Sequence, residues 1–199
     1  HWSLRYRKAN DRQTCIHIKK DNAEEFEVIS PLMGRHNAMN TLAAMAALIN
    51  LNIPYTSFLS GMERFEGIKR RQDIRGVRKG ITVMDDFAHH PTAVKETLAA
   101  VKPFYLTGRV IAVFEPRTNS SMRDVFQQDY AAAFDDADII CIRKPSRLDK
   151  VPENQRLSTR QLVSDIQIRG NKAFYFEDSE SILLFLKEHA RQGDLLLIM

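Results

Sequence analysis

Cysteine, tryptophan and long apolar runs are all scarce in this 199-residue sequence, which has two Cys and one Trp. Cys15 and Cys141 are too few for a disulfide framework and lack metal-ligand spacing, so we expect a reducing compartment, the cytoplasm, and no metal held by the chain. No apolar stretch approaches the roughly 18 residues that a membrane-spanning helix needs. No basic segment followed by an apolar one opens the sequence, so we expect neither a signal peptide nor a membrane partner.

A strong excess of one charge is also missing, since 29 Lys and Arg stand against 25 Asp and Glu. The hydrophobic content of 44% and charged content of 27% are ordinary for globular proteins, which excludes disordered and collagen-like classes. Nucleic-acid binders gather basic residues on one face, whereas here the two signs are interleaved, so we expect no nucleic-acid partner. The densest basic segment, residues 69–79, is equally compatible with a solvated charged hairpin and with an anion site.

The first third of the chain has short elements of two kinds. Alternating polar and apolar residues predict antiparallel strands over 2–6, 14–18 and 25–29, with turns at Asn10-Asp11 and Asp21-Asn22. Helical spacing predicts helices over 36–51 and 54–65, with capping by one Asn of the first turn. Three short strands make a poor independent core, and the apolar run at 195–198 has nothing after it, so we expect a fragment of a longer protein, cut at both ends.

From Gly80 onward, apolar runs alternate with helical stretches. The runs are 81–84, 110–114, 139–142, 173–176 and 195–198, and the helical stretches are 92–101, 122–134, 158–168 and 179–190. Continuous apolarity favours strands that are covered on both faces, and therefore parallel strands. The sequence thus predicts an α/β fold with a Rossmann-like, doubly wound and mostly parallel sheet.

Ligands of such sheets bind beyond the carboxyl ends of the strands. The run ending at Met84 is followed by Asp-Asp-Phe-Ala-His-His-Pro, residues 85–91. Pro91 suits a first helical position, which makes His90 the expected N-cap. Adjacent carboxylates repel, so we expect the acidic pair to be held by a cation, a ribose hydroxyl or a backbone donor. A plain helix cap and a zinc site completed by other residues are the alternatives.

Two further motifs could bind a nucleotide. Gly-Arg-His-Asn-Ala-Met-Asn, residues 34–40, places Asn37 and Asn40 on one helical face, where two amides can bracket a planar partner. Phe-Glu-Gly-Ile-Lys-Arg-Arg, residues 65–71, is a turn that offers two arginines to a phosphate.

In this order the three motifs resemble the Mur ligase family, the ATP-dependent amide-bond-forming enzymes of peptidoglycan assembly. The resemblance implies that residues 1–66 are the end of the central ATP-binding domain and residues 67–199 the Rossmann-like C-terminal domain. It implies that Asn37 and Asn40 contact adenine, that Arg71 contacts the nucleotide phosphates and that Asp86 contacts the ribose. It also places His89 and His90 at the reacting centre. The amine donor would bind at Arg117 and Asn119 together with His90.

Phe87-Ala88 and the segment 114–120, Phe-Glu-Pro-Arg-Thr-Asn-Ser, most resemble one activity of the family. That activity joins L-alanyl-γ-D-glutamyl-meso-diaminopimelate to UDP-N-acetylmuramate through an acyl phosphate, with ATP and Mg²⁺, in cell-wall recycling. Alternatives are L-alanine addition, a folylpolyglutamate-type ligase and a non-catalytic nucleotide-binding module. The sequence has no Gly-x-x-x-x-Gly-Lys-Ser/Thr loop, so we expect the fragment alone to be inactive. A dehydrogenase is disfavoured because Gly-x-Gly-x-x-Gly is missing as well.

Overall fold

A computed structural model describes residues 1–21 and 24–199. The chain divides into two compact units, unit 1 over His1–Gln72 and unit 2 over Asp73–Met199. The assignment of residues 1–66 and 67–199 to two Mur ligase domains stays a prediction. In the described part of the chain, every helix is too short or too polar to cross a membrane.

Unit 1 is a three-stranded antiparallel sheet with two helices on one face. Its elements are β1 (Trp2–Asn10), β2 (Gln13–Lys20), β3 (Glu24–Ser30), α1 (Arg35–Asn50) and α2 (Tyr55–Glu63), and β2 is the central strand. Alternation places Ile16, Ile18 and Val28 on the inner face, where they pack with buried side chains of both helices. The three predicted strands and two predicted helices are therefore confirmed; the predicted turn at Asp21-Asn22 lies partly outside the described residues.

Unit 2 contains a six-stranded sheet in the order β4-β5-β9-β6-β7-β8. The strands are β4 (Asp73–Arg78), β5 (Ile81–Asp85), β6 (Val110–Phe114), β7 (Ile139–Arg143), β8 (Ala173–Phe176) and β9 (Leu195–Ile198). The helices are α3 (Pro91–Val101), α4 (Gln127–Ala133), α5 (Thr159–Ile168) and α6 (Ser179–His189). All pairings are parallel except that of β4 with β5. The predicted Rossmann-like, mostly parallel fold is confirmed.

Both faces of this sheet are covered, which explains why its strands are continuously apolar. On one face, Phe114 packs against Tyr130 of α4, with ring centroids 5.3 Å apart. On the other face, Ile182 of α6 joins a cluster with Ile111 and Cys141. The chain reverses its direction across the sheet at α6, and right-handed crossovers then require the opposite face for that helix.

Two local predictions for unit 2 need correction. Helix α4 begins at Gln127 rather than at Met122, because the Met122 carbonyl accepts a hydrogen bond from the Leu157 N–H (2.8 Å) and does not enter a helix. Strand β4 was not predicted. It forms an antiparallel hairpin with β5 whose turn, Lys79-Gly80, has both residues in the left-handed region (φ 52° and 73°). The exposed charges on this hairpin agree with the solvated-hairpin interpretation.

Candidate functional site

The carboxyl ends of the parallel strands of unit 2 bring three polar loops to one edge of the sheet. Strand β9 lies between β5 and β6 and joins the loops that follow them. The Asp86 N–H donates to the Ile198 carbonyl (2.9 Å), and the Glu115 N–H donates to the Met199 carbonyl (3.2 Å). The loops after β5 and β6 are therefore joined through β9, and β7, which pairs with β6, brings its loop to the same edge. Ligands bind at this edge in this fold class.

The loop after β5 is shaped by Asp86. Its side chain is buried, and Oδ1 accepts a hydrogen bond from the Ala88 N–H at 2.8 Å. A backbone donor is one of the three partners expected for the acidic pair. The carboxylate thus fixes the turn that leads to the two histidines.

His89 and His90 make hydrogen bonds that assign them different tautomers. A carbonyl oxygen can only accept, so the 2.9 Å contact between His89 Nδ1 and the Phe87 carbonyl places a proton on that nitrogen. In the neutral ring, His89 Nε2 is then an acceptor. His90 Nδ1 instead accepts from the Thr92 N–H (3.3 Å), so His90 carries its proton on Nε2 and caps α3 as predicted. The loop therefore offers a base next to a donor.

Tyr130 of α4 anchors this histidine loop from below. Its hydroxyl donates to the His89 carbonyl, and burial raises the pKa of Tyr130, which keeps the donor proton in place. The ring of Phe126 meets the His90 ring edge-on, with centroids 4.5 Å apart. Neither aromatic residue was predicted to belong to the site, because an aromatic on an apolar helix face is typical of an ordinary core.

Glu115 connects the loops that follow β6 and β7. Its side chain is 11% exposed and forms an ion pair with Arg143 at the end of β7. The Ser146 hydroxyl donates to Glu115 Oε1 (2.9 Å), and Arg117 Nε lies 3.6 Å from the same oxygen. One carboxylate thus positions both the predicted Arg117 and the start of the next loop.

These two loops enclose a basic hollow of about 310 Å³. It is lined by Arg117, Asn119, Met122, Arg123 and Arg147. Arg123 Nε donates to Asn119 Oδ1 at 3.3 Å, which fixes the orientation of that amide. The structure therefore brings together the predicted Arg117 and Asn119 and adds two arginines that were not predicted, Arg123 and Arg147. The one signal in the sequence that could have indicated these two arginines is that they follow successive strands, β6 and β7.

In unit 1 the structure brings the first-turn asparagine close to the arginine turn. Asn37 Nδ2 donates to the Met33 carbonyl (2.9 Å) and lies 3.3 Å from Gln72 Oε1. Gln72 is buried and bonds both the N–H and the carbonyl of Met33. Asn40 lies nearly one turn further along α1 and is exposed. Gly34, with φ 89°, precedes the helix, so the prediction that an Asn caps α1 is wrong.

Arg71 lies in a tight turn with an unusual backbone. The Arg71 N–H donates to the Ile68 carbonyl (3.0 Å), while Arg70 and Gln72 adopt φ angles of 59° and 50°. Side chains other than glycine rarely occupy this left-handed region, and strained backbone of this kind clusters at ligand sites. The turn, held by Gln72, presents the Arg71 side chain on the surface.

A parallel α/β domain with a histidine loop and a basic hollow at its carboxyl edge is typical of α/β enzymes that bind anionic ligands beyond the ends of their strands. The family model described as "Mur ligase, glutamate ligase domain" matches residues 69–199. The chain belongs to the Mur ligase family.

Curated relatives and solved structures agree with this family. UDP-N-acetylmuramate–L-alanine ligases from Clostridium kluyveri and Desulforapulum autotrophicum are both 36% identical over 182 and 169 residues. These alignments cover 90% and 84% of this chain but only 39% and 37% of the relatives, so the chain spans about two fifths of their length.

Among solved structures, a murein peptide ligase from Psychrobacter arcticus is 27% identical, with a TM-score of 0.65 over 100% of this chain and 40% of that one. A UDP-N-acetylmuramate–alanine ligase from Thermotoga maritima has a TM-score of 0.78 at 21% identity, over 99% and 41% of the two chains. The second similarity shows the fold alone.

Proposed function

We propose that this chain supplies the amine-donor half and part of the nucleotide site of an ATP-dependent ligase that acts on UDP-N-acetylmuramate in the cytoplasm. The reaction transfers the γ-phosphoryl group of ATP to the lactyl carboxylate and releases ADP. The amine then attacks the acyl phosphate, an amide bond forms, and inorganic phosphate leaves with the electron pair of the broken C–O bond. Mg²⁺, when bound, neutralises charge on the phosphoryl oxygens.

Unit 1 is proposed to contribute nucleotide contacts. Asn37 Nδ2 is occupied by Met33 and Gln72, so Asn37 offers its Oδ1 acceptor, which suits the amino group of adenine. The exposed amide of Asn40 suits the same edge, and a guanidinium suits a phosphate. Asn37 and the turn bearing Arg71 are linked through Gln72, which supports a joint role. Arg71 would stabilise the negative charge that develops on the transferred phosphoryl group. In unit 2, Asp86 is assigned to the ribose.

The two histidines are proposed to serve the incoming amine. The amine must lose a proton when it attacks, and His89 Nε2 has the acceptor tautomer that this transfer requires. His90 offers an Nε2–H donor, which suits an oxygen of the donor substrate. The hydrogen bond from His89 Nδ1 to the Phe87 carbonyl orients the His89 ring, as backbone carbonyls orient other catalytic imidazoles.

The basic hollow is proposed to bind the amine donor and to determine which donor is accepted. Arg117, Arg123 and Arg147 line it, and guanidinium groups bind carboxylates through paired hydrogen bonds. The tripeptide L-alanyl-γ-D-glutamyl-meso-diaminopimelate has several carboxylates, whereas L-alanine has one. Three arginines exceed what a single carboxylate requires, and we therefore favour the tripeptide, which places the enzyme in cell-wall recycling. The similarity to a murein peptide ligase supports the same choice.

L-alanine addition is the second candidate. The observation that favours it is the 36% identity to curated UDP-N-acetylmuramate–L-alanine ligases. A basic hollow is compatible with this donor as well, although it would then be only partly filled.

Phosphate release distinguishes the candidates. The full-length protein that carries this chain is supplied with Mg-ATP, UDP-N-acetylmuramate and either the tripeptide or L-alanine. We expect phosphate release with the tripeptide and little with L-alanine. The reverse pattern would assign the L-alanine activity, and release with neither donor would favour the non-catalytic module.

A further inference from the structure

Three side chains on the outer face of the unit 1 sheet form a cluster of metal-ligand type. Ile16 and Ile18 of β2 face the helices, so Cys15 and His17 project from the opposite face. Glu27 of β3 lies directly across from His17 in the antiparallel register. None of these three residues belongs to the motifs that carry the proposed ligase function.

The donor atoms of this cluster lie close together. Cys15 Sγ is 3.4 Å from His17 Nε2, and His17 Nδ1 is 3.4 Å from Glu27 Oε2. One ligand atom from each residue lies within 4.8 Å of the other two. Cys15 is 1% exposed, whereas the side chains of His17 and Glu27 are 48% and 56% exposed, so a cation can reach the cluster from the solvent side.

The spacing suits a tetrahedral zinc ion. Zn–S and Zn–N bonds of about 2.3 Å and 2.0 Å at a tetrahedral angle place sulfur and nitrogen roughly 3.5 Å apart. The Sγ–Nε2 distance of 3.4 Å already matches this separation. Glu27 Oε2 contacts the other ring nitrogen, Nδ1, so its exposed side chain must rotate toward Nε2 to become the third ligand. Water can take the fourth position.

We infer that Cys15, His17 and Glu27 form a binding site for Zn²⁺ that joins strands β2 and β3. This inference replaces the expectation, drawn from cysteine spacing, that the chain holds no metal. A thiolate and an imidazole select zinc over Mg²⁺, which prefers oxygen ligands, so this is not the magnesium of the proposed reaction. On binding, the thiol proton passes to solvent and the thiolate sulfur bonds the metal.

Neighbouring charges affect this site in opposite directions. Burial is the main factor that raises the pKa of the Cys15 thiol; the Glu27 carboxylate adds to it, and Arg7 opposes it. Arg7 and Arg5 of β1 lie across from Cys15 and His17 in the register. The positive charges of these arginines weaken the attraction for a cation, but the charge of Arg7 favours the Cys15 thiolate. Because the pKa of Cys15 is raised, Zn²⁺ must compete with the thiol proton for the sulfur.

Cobalt provides a direct test, because a Co²⁺–thiolate bond gives near-ultraviolet charge-transfer absorption and tetrahedral Co²⁺ gives visible bands. The full-length protein that carries this chain is titrated with Co²⁺ and then with Zn²⁺. We expect one equivalent of Co²⁺ to produce both absorptions and Zn²⁺ to remove them. Absence of the charge-transfer absorption in this chain would overturn the proposal.

Variants then identify the ligands. Cys15→Ser should abolish the charge-transfer absorption, and His17→Gln and Glu27→Gln should each weaken Co²⁺ binding at least about tenfold. The last two positions are exposed, and far-ultraviolet circular dichroism verifies that each variant stays folded. Cys141→Ser is the matched control, since it removes the other cysteine of the chain. Loss of the absorption in Cys141→Ser, or full binding in His17→Gln and Glu27→Gln, would contradict the assignment.

Discussion

The two units use their sheets in opposite ways. The antiparallel sheet of unit 1 packs one face on α1 and α2, and its other face carries charged and polar side chains. The sheet of unit 2 is covered on both faces, so its polar groups concentrate at the ends of the strands. Candidate chemistry therefore occupies a helix start, a turn and a sheet face in unit 1, but a single edge in unit 2.

The two edges of the unit 2 sheet also differ from each other. At the carboxyl edge, His90 and Arg117 are exposed, and their loops are held by the buried Asp86 and by Glu115, which is 11% exposed. At the amino edge, Asp194 and Arg109 form an ion pair before β9 and β6, with Asp194 only 2% exposed. We expect substitutions at the amino edge to affect stability, and substitutions at the carboxyl edge to affect binding.

Asp194→Asn tests the amino edge of the unit 2 sheet, and it should have the largest effect on stability. Asp194 accepts hydrogen bonds from Arg109 Nε (3.1 Å) and Nη2 (2.6 Å) and from the Arg191 N–H (2.8 Å). Breaking a buried pair leaves the other charge uncompensated, so we expect the free energy of unfolding to fall by about 3 kcal/mol. Urea denaturation followed by far-ultraviolet circular dichroism measures this loss. Asp135→Asn, which breaks the exposed pair with Arg169, is the control and should cost below about 1 kcal/mol.

The pH dependence of the same pair has a defined sign. Burial raises the pKa of Asp194, but hydrogen bonds from Arg109 and from the Arg191 N–H outweigh it and leave the pKa below its ordinary 3.8. A lowered folded-state pKa gives stability that is fully present above about pH 4 and is lost as the pH falls through the folded-state pKa. The difference in the free energy of unfolding between wild type and Asp194→Asn should therefore become smaller as the pH falls. If this difference is constant with pH, the charge of the Asp194 carboxylate does not stabilise the amino edge.

Arg71→Ala tests the unit 1 turn in the full-length enzyme. Loss of a cation that stabilises a phosphoryl transition state should lower kcat about a hundredfold, which corresponds to about 2.7 kcal/mol. The side chain is exposed, so the fold should persist, and circular dichroism provides that control. A variant that unfolds, or that retains full kcat, would refute the phosphate role.

Arg117→Ala tests the hollow at the carboxyl edge. A charge-assisted hydrogen bond to a substrate carboxylate contributes roughly 1.5–3 kcal/mol, so the KM for the tripeptide should rise about tenfold or more. The KM for ATP should change much less. Arg160→Ala, an exposed arginine paired with Glu177 rather than lining the hollow, is the matched control. Equal increases in both KM values would indicate a structural role for Arg117.

Much of unit 2 was predictable because its information is local and periodic. Continuous apolar runs indicated parallel strands, and Pro91 located the start of α3 and the cap at His90. The start of α4 was not predictable, because it depends on a hydrogen bond from Leu157 to Met122, which are distant in sequence. Strand β4 was missed because its polar, Gly-containing sequence resembles an exposed turn.

The site was predictable only as far as its motifs extend. Arg117 and Asn119 stand in one motif, but Arg123 and Arg147 join them through tertiary folding. Likewise Gln72, which connects Asn37 with the arginine turn, has no pattern of its own. Motifs indicate which groups carry chemistry, while the residues that position those groups are revealed by three-dimensional contacts.

Gly61→Ala should have the smallest effect, and it probes unit 1 alone. Gly61 lies in α2, and a Cβ built there meets nothing within 4 Å. Glycine in a helix loses more backbone entropy than alanine, so the variant should stabilise unit 1 by about 0.5–1 kcal/mol. The single tryptophan, Trp2, packs beside the core of unit 1, so its fluorescence during urea denaturation reports on that unit.

Gly67→Ala provides the contrasting control for this helix substitution. Gly67 has φ 102°, a conformation that is strained for alanine, and the same measurement should therefore show destabilisation. Opposite signs at the two positions would show that backbone conformation, rather than added side-chain volume, determines the response of unit 1. A destabilising Gly61→Ala would instead mean that the exposed position 61 tolerates no added side chain, although tight packing is expected only on the inner face of α2.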